Sequence, residues 1–272
     1  MTRRQDGSGG GNIGSPVAVD YGLAADDYGR WRQGFPAEFF ARLDELSIGV
    51  AGQDVLDVGT GTGLLARALS LRGCRVTGLD PSPALLLEAK KADEAAGVSI
   101  EYCLGRAEAT GLEGNAYDVV SAATCWHWVN RPEAAAECRR LLRPDGRLLI
   151  AHLDWISHPG NVIDTTFNVM DRFSPAHASG FLTFQYPQWL FELVDAGFDA
   201  WQIFGFPTTL SYSHSAWRGR VKASARVGPT MSPETCEQFD LALSEALSER
   251  FPHETLSVDH RVFAIVLWTR QA

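Results

Sequence analysis

The sequence predicts an α/β protein built on a doubly wound, Rossmann-like sheet. Three observations carry that prediction. Between Asp54 and Asp154 short apolar runs alternate with helical patterns, the signature of a parallel sheet covered on both faces. The first of these runs ends in "VGTGTG", a turn with glycine at every second position. A carboxylate then recurs at the end of the second run, Asp80, twenty-three residues after Asp57.

Taken in order, residues 1–16 ("MTRRQDGSGGGNIGSP") are dominated by Gly and Ser and read as a flexible tail. They hold two arginines but no apolar run, so no secretory leader is expected. Tyr21 to Leu46 has helical apolar spacing broken at "GFP", which predicts a cap of one or two helices. Five strands follow: "DVLDVG", "RVTGLD", "SIEYCLG", "YDVVSAAT" and "GRLLIAHLD". Helical patterns over Leu64–Leu71, Ala84–Ala96 and Glu133–Leu142 separate them, and "LRPDG" reads as a helix stop and turn. Beyond Asp154, "YPQWLFELVDAGF" reads as a helix and "DAWQIFGFPTTLSYS" as a long strand. "SPETCEQFDLALSEALSERF" is a helix opened by Ser232, and "DHRVFAIVLWTR" a final strand. One domain over 17–272 is expected, with a core at 53–154 and cap or lid elements at 17–47 and about 156–256.

Bulk chemistry narrows the function. A formal charge of −9 argues against a nucleic-acid or acidic-membrane surface. The five cysteines form no CxxC pair and the seven histidines no HExxH or HxxxH spacing, so neither a disulfide framework nor a metal is expected. No apolar run is long enough to span a bilayer. A soluble, cytoplasmic protein is the expectation, its oligomeric state open.

Glycines in the turn let the backbone take positive φ and let a ligand press on the main chain. The N–H groups at the start of the following helix suit an electron-rich group. Asp80, beside the first strand, suits a pair of ribose hydroxyls. A nicotinamide dinucleotide uses a similar layout, but the third glycine of its GxGxxG pattern falls on Leu64 here.

"VLDVGTGTG" with "VTGLDPS" resembles the first two motifs of class I S-adenosylmethionine (SAM)-dependent methyltransferases. "GRAEATGL", "YDVVSAATCWHW" and "LLRPDGRLLI" follow in the order of that class. "YGRWRQGFP" and "HW" are similar to its small-molecule branch, which includes trans-aconitate methyltransferase-like and type 11-like enzymes. The resemblance implies a sheet of seven mostly parallel strands with an antiparallel last strand, a helical N-terminal cap and a helical insertion. It implies SAM as cofactor and S-adenosylhomocysteine as product. Gly59, Thr60, Gly61 and Gly63 would pack on the methionine and ribose part of the cofactor, and Asp57 would orient the loop and approach the amino group. Asp80 would take the ribose hydroxyls, with Pro81 and Ser82 along the adenine. Ala107 and Glu108 would meet the adenine edge; Arg106 stands where the class often has an acid, which moves that contact to Glu108. Tyr28, Arg32 and Thr124 would complete the cofactor site, and Arg30 competes with Arg32 for the cofactor carboxylate.

Near the chemistry, Trp126, His127 and Trp128 follow the fourth strand. They are expected to wall a substrate pocket, with His127 as a general base. Arg218, Arg220, Lys222 and Arg226 cluster within nine residues, as an anion site or as a solvated helix face. The function expected is methyl transfer from SAM to an O or N atom of a small organic acceptor. The alternatives are a protein that binds SAM or its product without turnover, and an NAD(P)-dependent oxidoreductase.

Overall fold

A computed structural model describes residues 31–173, 189–228 and 230–269. Its centre is β1 (Asp54–Val58), buried from Val55 onward, as a strand with parallel neighbours on both edges and helices over both faces must be. It pairs in parallel with β2 (Arg75–Asp80) and β4 (Tyr117–Ala123). β2 carries β3 (Glu101–Leu104) and β4 carries β5 (Leu142–Trp155), both parallel. Two longer strands complete the sheet: β6 (Ala200–Ser213) and β7 (Thr255–Trp268), the latter antiparallel to both β5 and β6. The order is β3-β2-β1-β4-β5-β7-β6. Strand order reverses between β1 and β4, and the crevice at their carboxyl ends is where such sheets bind ligands.

Alternation along the strands divides the core. Leu56, Val58, Val120 and Ile150 face one side with Ala134, Cys138 and Leu141 of α4 (Arg131–Leu141) and Leu193 of α6 (Trp189–Asp195). Val55, Val119, Leu149 and Ala151 face the other, against Phe39 and Leu43 of α1 (Ala37–Glu45) and Leu65 and Leu69 of α2 (Leu64–Leu71). Between β2 and β3 lies α3 (Pro83–Ala96), whose first turn is capped by the Ser82 hydroxyl. A third cluster lies where β6 and β7 outrun the other strands. There α5 (Val162–Phe173), α7 (His214–Lys222) and α8 (Pro233–Arg250) enclose Trp217, Phe239, Leu243 and Val258.

The expected strands and helices are found with one correction, and α5 and α7 are added to them. "LRPDG" does not break α4 from β5: the helix ends at Leu141 and these residues enter β5. The register jumps from Tyr117↔Leu142 to Val119↔Arg147, so the ladder absorbs Pro144 and Gly146 as an irregularity. Of the expected N-terminal cap, α1 and Trp31–Phe35 are seen; the tail, Tyr28 and Arg30 lie outside the described residues. No helix among the described residues is long and apolar enough to cross a membrane.

Candidate cofactor cleft

β1 stops at Val58 and the chain turns through Gly59-Thr60-Gly61-Thr62-Gly63 into α2. All three glycines have left-handed φ, +63°, +57° and +72°, a conformation that costs an L-residue about 1–2 kcal/mol. Space is as decisive as φ at two of them. A Cβ on Gly59 would lie 2.7 Å from the Cys125 Cβ and Sγ, and one on Gly63 would collide with the Tyr102 Oη. Gly97, the left-handed cap of α3, has the same φ (+69°) with nothing within 4 Å of its Cβ position. Gly97→Ala should therefore cost only the backbone term, about 1 kcal/mol. Gly63→Ala adds the collision and should lose about 2 kcal/mol more. Equal urea midpoints for the two variants would show that the Tyr102 contact carries no weight.

Two buried carboxylates fasten the turn. The strand register sets Asp57 beside Ser121 on β4 and Gly78 on β2. Its Oδ1 accepts from the Ser121 hydroxyl at 2.6 Å and its Oδ2 from the Thr60 hydroxyl at 2.7 Å. Burial pushes the Asp57 carboxyl up to about 6, with the Ser121 and Thr60 hydrogen bonds pulling against it and the neighbouring Asp80 adding to the rise. Asp80 closes β2: its Oδ2 accepts from the Gly61 N–H at 2.8 Å and its Oδ1 from the Ser82 N–H at 2.9 Å. Its carboxyl too is raised by burial, against those two backbone donors.

A cleft of about 620 Å³, open to solvent, runs along this turn. Asp57, Gly59, Thr60, Gly61 and Thr124 line it from β1 and β4, while Arg32 to Phe35 line it from the segment before α1. Tyr212, Arg220 and His260 line it from β6, α7 and β7. Gln33 ties the N-terminal segment to β6 by donating to the Ser211 carbonyl at 2.8 Å. Thr124 is one of three described non-glycine residues with positive φ (+60°). Its N–H is held by the Ala151 carbonyl at 2.8 Å, which maintains a conformation costing about 1–3 kcal/mol at the cleft edge.

Of the expected residues, the structure thus gathers Arg32, Asp57, Gly59, Thr60, Gly61 and Thr124 on one cleft. Gly63 caps α2 behind it. Ser82 spends its hydroxyl on the Leu85 N–H, and Pro81 is exposed. Ala107 is buried in the core. The Glu108 carboxylate accepts from the Asn130 N–H at 2.9 Å and pairs with Arg106 at 3.3 Å, so the acid and the arginine expected at the adenine edge meet each other.

The three residues of the expected aromatic wall are set apart in the structure. Trp126 is 0% exposed inside the core and does not line the cleft, because α4 and α6 close over the end of β4. His127 packs on Trp128 and His152, with ring centroids at 4.8 and 5.5 Å. Burial, then Arg32 and Arg131, push its imidazole down to about 4. Neither His127 nor Trp128 lines the cleft. Ser121, Gln33, Tyr212 and His260 went unnoticed in the sequence because their places depend on strand register, which no local pattern displays.

Residues 56–150 match a family model described as "Methyltransferase domain". An uncharacterized methyltransferase of Mycobacterium tuberculosis (strain ATCC 25618 / H37Rv) is 35% identical over 153 residues, 54% of this chain and 60% of that protein. The ubiquinone biosynthesis O-methyltransferase of Pseudomonas savastanoi pv. phaseolicola is 37% identical over 114 residues, 41% of this chain and 49% of that protein. The chain thus spans between about half and 60% of the length of these curated relatives. Among solved structures, phosphoethanolamine N-methyltransferase 2 of Haemonchus contortus, in complex with phosphomonomethylethanolamine and S-adenosylhomocysteine, shares the fold. It has a TM-score of 0.56 at 18% identity, over 93% of this chain and 58% of that one. Motif order, sheet order and the family match agree over the core of the chain: residues 56–150 are similar to a methyltransferase domain.

Proposed function

We propose that this protein transfers a methyl group from SAM to an oxygen or nitrogen atom of a small organic acceptor. One observation carries the reading. A glycine turn, braced by Asp57 and Asp80 at the ends of adjacent parallel strands, forms one wall of an open cleft.

The residues present fit the cofactor. Gly59 and Gly61 border the cleft with no side chain beyond the main chain. Asp80, already shaped by the Gly61 and Ser82 N–H groups, would hold the ribose hydroxyls. Asp57, behind the turn, would face the amino group, and Arg32 would hold the carboxylate of the methionine part, which a guanidinium binds in two-point fashion. Bound SAM would supply a methyl group already activated by its sulfonium. What remains for the protein is to align the acceptor and exclude water, and Phe35, Leu64, Leu65 and Leu153 make part of the cleft apolar. The helices over β6 and β7 would roof the acceptor, which supports a small molecule over a nucleic-acid strand, as does the net charge of −9. His127, packed between other rings, is less suited to a proton-accepting role than a residue on the cleft itself.

Calorimetry tests the reading. S-adenosylhomocysteine should bind at micromolar Kd, and NADPH should give no heat. Binding of NADPH in preference would replace methyl transfer by hydride transfer.

A further inference from the structure

The basic cluster of α7 and its exit divides in the fold. Arg218 and Lys222 reach Asp240 on α8, at 3.1 and 3.6 Å, and Arg226 reaches Asp171 on α5 at 2.7 Å. Arg220 turns the other way: it lines the cleft, its guanidinium 5.0 Å over the Trp155 ring. That ring is itself held in place. Trp155 packs on Trp217 at 4.9 Å and Trp217 on Tyr212 at 5.4 Å, while the Trp217 Nε1 donates to the Thr166 hydroxyl at 3.0 Å. A guanidinium stacked on a fixed indole loses little freedom when it meets a planar oxyanion.

His260 stands beside it, its register partner on β5 being Trp155. The ring is 2% exposed and lines the cleft. Its Nδ1 lies 2.9 Å from the Val258 carbonyl. A carbonyl only accepts, so Nδ1 carries the proton and Nε2 keeps its lone pair. Burial, aided by Arg220 nearby, keeps the imidazole neutral by pushing it down to about 4, against the raising effect of the Val258 bond.

With the methyl donor on the glycine turn, this end of the cleft belongs to the acceptor. We infer that the acceptor is a small organic anion, a carboxylate or phosphate monoester held on Arg220, whose hydroxyl or N–H donates to the His260 Nε2. The inference rests on the methyl-transfer reading, so the test uses protein saturated with S-adenosylhomocysteine, which also occupies Arg32. Hydroxy- and amino-substituted carboxylates and phosphate monoesters are titrated by calorimetry, each beside its neutral amide or alcohol and beside an analogue lacking the donor group.

At least one anion should bind saturably, about tenfold or more tighter than its neutral counterpart. Arg220→Gln should lose about tenfold of that affinity, Arg220→Lys less, and Arg218→Gln none. His260→Phe should erase the advantage of the donor-bearing anion over its analogue while the analogue binds as before. Absence of any saturable anion, equal affinity of neutral compounds, or full anion affinity in Arg220→Gln would overturn the inference while leaving the cofactor site standing. Failure of S-adenosylhomocysteine itself to bind would strike the methyl-transfer reading, and this inference with it.

Discussion

Replacing Asp80 by alanine should abolish measurable binding of S-adenosylhomocysteine. The carboxylate is assigned the two ribose hydroxyls, and hydrogen bonds to a charged group contribute about 1.5–3 kcal/mol each. Losing both predicts a fall of about 100-fold or more in affinity. The same substitution frees the Gly61 N–H, which Asp80 holds at 2.8 Å, so some of the loss would come from a loosened turn. Asp80→Asn separates the two contributions, because its amide oxygen still accepts from one backbone N–H. It should recover part of the turn's order, seen as retained near-native stability, without recovering tight binding. Calorimetric affinity within threefold of wild type in Asp80→Ala would remove the ribose assignment.

Asp57→Asn should have the opposite signature, a more stable protein that binds the donor less well. The carboxyl sits at about 6 in the fold against an ordinary 3.8, so the folded state holds its proton more tightly than the unfolded state does. Its contribution to stability is complete below pH 3.8 and is lost as pH rises through 6, a loss of about 3 kcal/mol at pH 8. Asparagine carries no charge to desolvate. Urea unfolding of the ligand-free proteins should show Asp57→Asn ahead by up to about 3 kcal/mol at pH 8, with the gap closing towards pH 4. A gap independent of pH would mean that the ionised carboxylate is not the source. The cost should appear in binding: SAM carries a sulfonium that S-adenosylhomocysteine lacks, so the variant should weaken the former more. Stability is here sacrificed to hold a negative charge at the cleft, a common bargain at functional sites.

Much of this site was legible before any coordinates. β1 and β4 announce themselves by short apolar runs, because strands buried on both faces carry apolar residues on each. The turn announces itself because three left-handed residues in five leave glycine as the low-strain choice. Asp57 and Asp80 follow from their places at strand ends. What stayed hidden depends on distant parts of the chain. Ser121 becomes a partner of Asp57 only through the β1–β4 register, and His260 meets Trp155 only through that of β5 and β7. Trp126 read as a wall because it follows a strand end at the ligand side; its burial is decided by α4 and α6, elements remote from it in pattern if not in space. The Pro and Gly of "LRPDG" have strong local meaning as a turn, and the β4 ladder overrides it.

The strand order also governs when the sheet can be finished as the chain leaves the ribosome. Among the described residues β6 pairs with no strand but β7, and β7 is the strand that joins it to β5. Until β7 emerges, the five parallel strands and their glycine turn can form, but β6 has no place on them. It waits through the synthesis of α7 and α8 with a fourteen-residue row of backbone donors and acceptors unmet. Nascent protein is therefore most exposed to strand-to-strand aggregation in that interval, and Pro207, midway along β6, interrupts the donor row where a wrong partner would seek it.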